Sequence, residues 1–262
     1  MLEPRTDAGR RGLEALRGAP ARAVVALDYD GTLAPVVDRP QDAVPAAGAV
    51  EALTSLAAAV GRLALITGRP ADVVVELGSL ADVPGLLVLG QYGAQQWENG
   101  RLTGDDPLPG LAGLRDELPE LADAEGADVE DKGLSLVVHT RRAPDPTGAL
   151  GRLRPRLAEL AERAGLEAHP GRLVVELRPP GHDKGGALRR LCDPAPSAVV
   201  FAGDDLGDLA AFDAVEALRG DGVPGLLVCS GSDEGPPELR ERADLVADGP
   251  DGVVAVLREL LP

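Results

Sequence analysis

The chain has 262 residues, enough for one large domain or for two smaller domains that each bury a core. Its net charge of −17 comes from acidic residues spread along the chain, and such a field argues against nucleic acid as a partner. No apolar run approaches membrane-spanning length, and residues 1–18 carry charges where a signal peptide needs its apolar segment. We therefore expect a cytoplasmic protein that makes no membrane contact.

Short apolar runs alternate with helical patterns through most of the chain. The runs at 23–27, 62–66, 86–90, 197–203, 225–230 and 243–247 are typical of buried strands. The segments at 45–60, 69–80, 208–219 and 250–261 have apolar residues at helical spacing. This alternation predicts an α/β fold whose core is a doubly wound, Rossmann-like parallel sheet.

The alternation breaks between residues 102 and 178. A helical stretch is followed by predicted strands at 127–131 and 133–141, which turn at Lys132-Gly133, then by a helix at 148–165 and strands at 166–171 and 172–179. The hairpin favours a separate antiparallel sheet over one continuous sheet. We expect a core domain built from 1–101 and 179–262, with a smaller α/β cap domain at 102–178.

Four polar clusters follow predicted strands or open a predicted helix. They are Asp28-Tyr29-Asp30-Gly31-Thr32, Thr67-Gly68-Arg69, Lys184, and the acidic group Asp204, Asp205 and Asp208. Ligands of open α/β sheets bind at the carboxyl ends of the strands, so the clusters should form one site.

These residue types suit phosphoryl transfer. Converging carboxylates repel each other unless a cation lies among them, and hard oxygen ligands favour Mg²⁺. A hydroxyl, a glycine-opened turn and a lysine can hold phosphoryl oxygens. One carboxylate could then attack phosphorus, while a second protonates the leaving oxygen and later deprotonates water.

Each cluster alone also has an ordinary explanation. The Asp-x-Asp pair could belong to a calcium loop, although the distal glutamate of such a loop is absent. The Thr67-Gly68-Arg69 segment could be a turn, and the acidic group could be a helix N-terminus. Their order and their common placement favour the catalytic interpretation.

The four clusters resemble the ordered motifs of the haloacid dehalogenase superfamily of phosphotransferases. The resemblance implies that Asp28 is the nucleophile, that Asp30 is the general acid and base, and that the insertion is a cap over the substrate. It also implies phosphoryl-binding residues and Mg²⁺ ligands. The former are Thr67, Gly68 and Lys184, and the latter are Asp28, the main-chain carbonyl of Asp30, and Asp204, with Asp205 and Asp208 nearby.

Two longer segments, VEDKGLSLVVHTR (129–141) and GRLVVELRPPGHDKGGAL (171–188), resemble the trehalose-6-phosphate phosphatase family. The resemblance covers about residues 23–257 and implies that Glu130, Lys132 and Glu176 bind the sugar hydroxyls of a sugar phosphate. It also implies functional coupling to a trehalose-6-phosphate synthase. Tyr92 departs from the histidine that related sequences often carry.

Two observations from the residues bear on this assignment. Lysine is rare, since only Lys132 and Lys184 among the 26 basic residues are lysines, and both fall on motif positions. Either these two positions need a compact ammonium, or they are lysines by chance in a chain whose other basic residues are arginines. Strand alternation in LVVELR puts Glu176 and Arg178 on one face, where they are either solvated or bind a ligand; Arg178 could contact substrate or brace Glu176.

Two other functions remain open at this point. One is another capped phosphatase, acting on sucrose phosphate or on a glycosyl phosphoglycerate. The other is a phosphosugar sensor that keeps the fold without turnover.

Overall fold

The computed structural model describes residues 2–37, 39–171, 173–232 and 235–261. Its strands, in chain order, are β1 (Val24–Leu27), β2 (Arg62–Ile66), β3 (Leu86–Gly90), β4 (Gln95–Glu98), β5 (Arg101–Gly104), β6 (Asp128–Asp131), β7 (Leu136–His139), β8 (Glu167–Gly171), β9 (Val174–Arg178), β10 (Val199–Gly203), β11 (Gly225–Gly231) and β12 (Leu245–Asp248). Its helices are α1 (Asp7–Gly18), α2 (Ala49–Ala57), α3 (Ala71–Gly78), α4 (Pro109–Asp123), α5 (Pro146–Ala164), α6 (Lys184–Leu191), α7 (Leu209–Gly220), α8 (Pro237–Arg242) and α9 (Gly249–Glu259). Within the described ranges, no helix has both the length and the apolar composition needed to cross a membrane.

The chain divides into two compact units. The larger unit contains residues 1–103 and 183–262, and the smaller unit contains residues 104–182. Residues 102 and 103, which the sequence assigned to the insertion, belong to β5 at the edge of the larger sheet.

The larger unit is built on a sheet with the order β12-β11-β10-β1-β2-β3-β4-β5. The strands from β12 to β3 pair in parallel, and β4 pairs with β3 in antiparallel orientation. Successive strands run outward from β1 on one side and from β10 on the other, so the strand order reverses between β1 and β10. The predicted doubly wound α/β fold is therefore confirmed.

Alternating residues of each central strand enter two different cores. In β1, Val25 and Leu27 join the core under α1, α2, α3 and α9, whereas Val24 and Ala26 join the core under α6, α7 and α8. Because both faces are covered, the central strands are apolar on both sides, which explains their continuous apolar sequence. Polar residues follow directly where β1, β2 and β10 end, namely Asp28, Thr67 and Asp204.

The smaller unit has an antiparallel sheet with the order β6-β7-β9-β8. One face of this sheet packs on α4 and α5 through Val138, Val175 and Leu177, among other apolar residues. Leu173 has a φ of 57° and precedes β9, so the alternation expected for LVVELR begins only at Val174. Arg172, which was predicted as the start of this strand, lies outside the described residues.

Three elements of the larger unit were not predicted: helix α1, the hairpin formed by β4 and β5, and the short helix α8. Helix α1 buries Gly9 and Gly12 beside Leu13 and Leu16, so half of its buried face is glycine and the apolar pattern is weak. A Cβ on Gly12 would lie 2.0 Å from the carbonyl oxygen of Gly225, which explains why the helix needs glycine there.

The second element is the hairpin that joins β4 to β5. It turns at Asn99 and Gly100, whose φ angles of 49° and 79° are those a two-residue hairpin requires. The Asn-Gly pair was therefore a usable signal for this hairpin.

Asp244 ties the N-terminal segment to the larger sheet. Its carboxylate accepts a hydrogen bond from the Leu227 amide at 2.7 Å and contacts Thr6 and Arg219. Its main-chain oxygen accepts from the Arg5 amide at 2.8 Å. The side chain is fully buried, so these partners replace the hydrogen bonds that water would otherwise supply to the carboxylate.

Replacing Asp244 with Ala should destabilise the larger unit by about 3–5 kcal/mol, because Arg219 and the Leu227 amide would lose a buried acceptor. Urea unfolding followed by Trp97 fluorescence measures this, since Trp97 is the single tryptophan and is buried in the core of this unit. Asp213→Ala removes an exposed partner of Arg242 and serves as the control, with an expected change below about 1 kcal/mol. Equal, small losses in both variants would contradict the role given to Asp244.

Candidate active site

The predicted core residues meet at the carboxyl ends of β1, β2 and β10. Asp28 directly follows β1, Thr67 follows β2 and Asp204 follows β10, while Lys184 is the first residue of α6. Since the strand order reverses between β1 and β10, the edge at this position opens into a crevice between the two connections.

The turn after β1 admits only glycine at position 31. Gly31 has a φ of 75°, and a Cβ there would lie 2.0 Å from Oδ2 of Asp204. The other oxygen of Asp204 accepts a hydrogen bond from the Thr32 hydroxyl at 3.1 Å. The Asp28-to-Thr32 turn and the end of β10 are thus held in direct contact.

Three carboxylates crowd together at this edge. One oxygen each from Asp28, Asp204 and Asp208 lies within 4.8 Å of the other two. Burial raises the pKa of Asp204 to about 7 and that of Asp208 to about 6, and neighbouring carboxylates add to both shifts. Burial likewise raises the pKa of Asp28, and the Lys184 ammonium opposes that shift. The donors are oxygens of the kind that Mg²⁺ prefers, so the cluster fits a hard divalent cation.

Lys184 supplies positive charge inside this cluster. Its Nζ lies 2.8 Å from Oδ1 of Asp28 and 2.7 Å from Oδ1 of Asp208, and 4.0 Å from Oδ1 of Asp205. Burial opposes the charge on this lysine, but the three carboxylates outweigh burial and raise its pKa. The residue is therefore an ammonium.

Asp208 shapes the loop after β10. Its Oδ2 accepts hydrogen bonds from the amides of Asp204 and Asp205, at 2.9 and 3.1 Å, while its Oδ1 accepts from Lys184. Both oxygens therefore serve as acceptors inside the protein. The Asp205 side chain is 64% exposed and accepts from the Gly207 amide at 2.9 Å.

Thr67 and Gly68 lie in a turn that a strained loop holds in place. The amide of Tyr92 donates to the carbonyl of Thr67 at 2.9 Å, and Gln91 and Tyr92 have φ angles of 46° and 59°. A Cβ on Gly68 would lie 2.7 Å from the Tyr92 hydroxyl. Tyr92, at the position that departs from the family pattern, therefore packs directly against the turn.

Asp30 lies outside the carboxylate cluster and pairs with Arg69. The Arg69 Nε donates to Oδ2 of Asp30 at 2.6 Å, and Nη2 donates to Oδ1 at 2.7 Å. The sequence offered Arg69 only as part of a possible turn, because nothing in a single chain links two residues 39 positions apart. The sequence analysis did not anticipate this contact.

The smaller unit has a polar face on the side of its sheet opposite α4 and α5. The strand registers place Glu130, Glu176 and His169 in one row, with Val137 between the two glutamates. The adjoining row contains Ser135, Arg178 and Glu167 by the same alternation, and Lys132 starts the hairpin turn beside it. The predicted sugar-binding residues thus share one face; the alternation of β9 had indicated this for Glu176 and Arg178, and the strand register adds Glu130.

Hydrogen bonds connect these side chains. Glu176, which is buried, accepts from the Ser135 hydroxyl at 2.9 Å and from Lys132 Nζ at 3.3 Å through the same oxygen. Arg178 lies 4.0 Å from the other oxygen of Glu176 and contacts Nδ1 of His169 at 3.2 Å. This position is compatible with bracing of Glu176, which was one of the two roles considered for Arg178.

A similar contact orients Glu130. His139 Nε2 lies 2.9 Å from Oε2 of Glu130, which ties the histidine to a carboxylate of the same face. The contact holds the His139 ring against Glu130.

The doubly wound sheet, the carboxylate cluster with its lysine at the strand-order reversal, and the inserted second unit are the features that the resemblance to the haloacid dehalogenase superfamily led us to expect. The sequence profile of the trehalose-phosphatase family matches residues 26–236. The chain belongs to the trehalose-phosphatase family.

Individual relatives agree with this assignment. A trehalose-phosphate phosphatase of Mycobacterium marinum is 35% identical over 211 residues, which cover 74% of this chain and 52% of that protein. The trehalose-6-phosphate phosphatase of Escherichia coli is 35% identical over 201 residues, which cover 74% of this chain and 73% of the relative. The chain thus spans about half the length of the mycobacterial relatives that carry the trehalose-phosphate phosphatase name.

The fold also matches a solved structure, that of the C-terminal domain of the C. albicans trehalose-6-phosphate phosphatase. The TM-score is 0.78 at 21% identity, and the match covers 99% of this chain and 98% of that one. At this identity the likeness concerns the fold.

Replacing Lys184 with Met should destabilise the metal-free larger unit by about 3–5 kcal/mol at pH 8, because buried carboxylates would lose their cation. Lys184 lowers the pKa of Asp28 and of Asp208, so both pKa values rise further in the variant. A carboxyl whose folded pKa is raised binds its proton more tightly in the folded state, and folding is favoured as the pH falls through that pKa. The difference in free energy of unfolding between the wild-type protein and the Lys184→Met variant should therefore become smaller from pH 8 to pH 5.

Urea titrations in the presence of a chelator, read by Trp97 fluorescence, measure this gap at each pH. The double variant Lys184→Met/Asp208→Asn removes a repelling charge together with the cation, and it should recover part of the loss. A penalty that is the same at every pH would show that Lys184 acts through packing and not through its charge.

Proposed function

We propose that the chain is a Mg²⁺-dependent phosphatase that hydrolyses trehalose 6-phosphate to trehalose and phosphate through an aspartyl-phosphate on Asp28. The observation that carries the proposal is the buried contact of Asp28 with Lys184 inside a carboxylate cluster, in a chain of this family. An anion at Asp28 is held beside a cation that can also bind the phosphoryl group.

In the first step an oxygen of Asp28 attacks phosphorus, and the bond from phosphorus to the sugar oxygen breaks. Asp30 gives its proton to that oxygen, so trehalose leaves as a neutral alcohol. Lys184, the Thr67 hydroxyl and the Gly68 amide hold the phosphoryl oxygens. In the second step Asp30 takes a proton from water, the water oxygen attacks phosphorus, and phosphate leaves Asp28 as a free carboxylate.

The environments of the two aspartates support this division of roles. Asp28 is 4% exposed and contacts the Lys184 ammonium, which we propose to bind the phosphoryl group. The Asp30 side chain is 35% exposed and is held by Arg69, apart from the cluster. A carboxylate outside the cluster is the one that can exchange protons with a leaving oxygen and with water.

The metal ligands we propose are Asp28, Asp204 and the main-chain carbonyl of Asp30. Asp208 is better suited to organise the loop, because both of its oxygens already accept hydrogen bonds from Lys184 and from two amides. Asp205 is better suited to cap the turn that follows it. When bound, Mg²⁺ would offset the charge of the carboxylates and polarise the phosphoryl group.

For the sugar we propose the polar face of the smaller unit, through Glu130, Lys132 and Glu176, with Arg178 bracing Glu176. Recognition of a disaccharide needs hydrogen-bonding groups in fixed geometry, and charged groups provide the strongest ones. The contacts of Glu176 with Ser135 and Lys132 fix its orientation in advance.

Phosphate release from a panel of sugar phosphates tests the proposed function. We expect turnover of trehalose 6-phosphate to exceed that of sucrose phosphate and of glycosyl phosphoglycerates, to stop on chelation, and to return with Mg²⁺. Asp28→Asn keeps the shape of the side chain but loses the nucleophile, so it should abolish turnover of every phosphomonoester while Trp97 fluorescence reports an intact core.

Preference for another member of the panel would reassign the substrate. Activity after exhaustive chelation would exclude the metal role, and normal turnover by a folded Asp28→Asn protein would exclude the aspartyl-phosphate. Absence of turnover in the wild-type protein on the whole panel would favour a sensor.

Replacing Lys132 with Ala tests whether the smaller unit recognises the sugar. A lost charge-assisted hydrogen bond is worth about 1.5–3 kcal/mol, so kcat/KM for trehalose 6-phosphate should fall at least about tenfold. A small aryl phosphate offers no sugar to bind and should be hydrolysed at nearly its original rate. Glu176→Ala should give the same pattern, and the double variant should be non-additive, because the two side chains are in contact.

Arg163→Ala is the matched control, since it removes an ion pair with Glu117 in the same unit. This variant should hydrolyse both substrates at the wild-type rate. Equal losses on both substrates for Lys132→Ala would mean that Lys132 supports the fold or the chemistry, and no loss on either would mean that it is a solvated turn residue.

A further inference from the structure

Arg69 is held rigidly at its base. Its amide donates to the Thr67 hydroxyl at 3.1 Å, its carbonyl accepts from the Gln91 amide at 2.9 Å, and Pro70 follows it in the chain. The loop that supplies the Gln91 amide is itself strained, since Gln91 and Tyr92 have positive φ. Strain of this kind persists where the surrounding structure requires a particular backbone position.

The guanidinium of Arg69 is also fixed at its far end. Nη1 donates to the carbonyl of Pro40 at 2.9 Å, and the guanidinium carbon lies 6.0 Å from the centre of the Tyr29 ring. Tyr29 is fully buried, and its hydroxyl donates to the carbonyl of Ala43 at 2.7 Å. The side chain is therefore anchored independently of Asp30 and is only 17% exposed.

With both ends anchored, Arg69 presents Nε and Nη2 to the two oxygens of Asp30, at 2.6 and 2.7 Å. Two parallel hydrogen bonds to a planar fork fix the plane of a carboxylate as well as its position. A lysine at this position would fix neither, because an ammonium acts as a point charge.

From this geometry we propose that Arg69 is a positioning residue, which sets the orientation in which Asp30 transfers a proton to the leaving oxygen. This inference rests on the proposed function, in which Asp30 is the general acid. Proton donation contributes most when the leaving oxygen is a poor leaving group and least when the leaving group is stable as an anion. The decrease in rate on removal of Arg69 should therefore depend on the leaving group. Removal of a purely structural residue should lower the rate equally for all leaving groups.

The test compares phenyl phosphate with 4-nitrophenyl phosphate, which have nearly the same shape but differ in how much the leaving oxygen needs a proton. The quantity measured is kcat/KM, because it covers the steps up to departure of the leaving group and excludes hydrolysis of the intermediate. For Arg69→Ala we expect kcat/KM to fall at least about tenfold with phenyl phosphate and less than about threefold with 4-nitrophenyl phosphate.

Three further variants sharpen the test. Arg69→Lys keeps the charge without the fork and should recover little of the loss. Asp30→Asn should show the same dependence on the leaving group, and adding Arg69→Ala to it should cost little more, since Arg69 acts through Asp30. Arg242→Ala is the matched control, because Arg242 also pairs with carboxylates in the larger unit and lies 5.9 Å from the Phe212 ring, and it should leave both rates unchanged.

Equal losses on both substrates, full recovery in Arg69→Lys, or additive losses in the double variant would each overturn the inference. If Arg69→Ala does not fold by Trp97 fluorescence, the same three criteria apply to Arg69→Lys and to Arg69→Gln. If the chain is not a phosphatase, the wild-type protein hydrolyses neither aryl phosphate, whereas failure of this inference alone leaves both wild-type rates intact.

Discussion

Charge crowding at one edge of the larger sheet is the constraint on which the rest of this site depends. Asp28, Asp204 and Asp208 approach within 4.8 Å of one another in a region where burial raises the pKa of each. Such an arrangement lowers stability, and it persists because the surroundings hold it. Gly31 lets one turn approach Asp204, and Gly203 does the same for Asp208, since a Cβ there would lie 2.4 Å from the Asp208 carboxyl carbon.

The two cations of the site differ in shape because their tasks differ. Lys184 places a single nitrogen 2.8 Å from Asp28 and 2.7 Å from Asp208, so one compact ammonium contacts both carboxylates. Arg69 places two nitrogens on the two oxygens of one carboxylate, that of Asp30. In a chain that uses arginine almost everywhere else, the lysine at 184 therefore has a geometric reason.

Residue positions near strand ends could be predicted from the sequence, and contacts between distant loops could not. Asp28, Thr67 and Asp204 were predictable because parallel strands bring their carboxyl ends to one edge of the sheet. The contact between Arg69 and Asp30 depends on the conformations of the loops that follow β1 and β2. Hydrophobic periodicity does not predict loop conformation.

The missed elements have different causes. Helix α1 was hidden by its glycines, which close packing requires and which remove the apolar signal. The Asn99-Gly100 pair is a sequence signal for a hairpin, so the β4–β5 hairpin could have been predicted. In the smaller unit, alternation placed Glu176 and Arg178 on one face, but the row that joins Glu176 to Glu130 and His169 depends on strand register, which the sequence does not specify.

Net charge gives a final argument for the metal in the proposed function. The carboxylates of Asp28, Asp205 and Asp208 lie within 4.0 Å of the Lys184 ammonium, and the chain as a whole carries −17. A phosphate monoester brings further negative charge to this position, and Lys184 is already shared by Asp28 and Asp208. The carboxylates would repel this anion more strongly than the single lysine attracts it. A divalent cation on Asp28 and Asp204 reverses that balance, so substrate binding itself, and not only the chemical step, should depend on Mg²⁺.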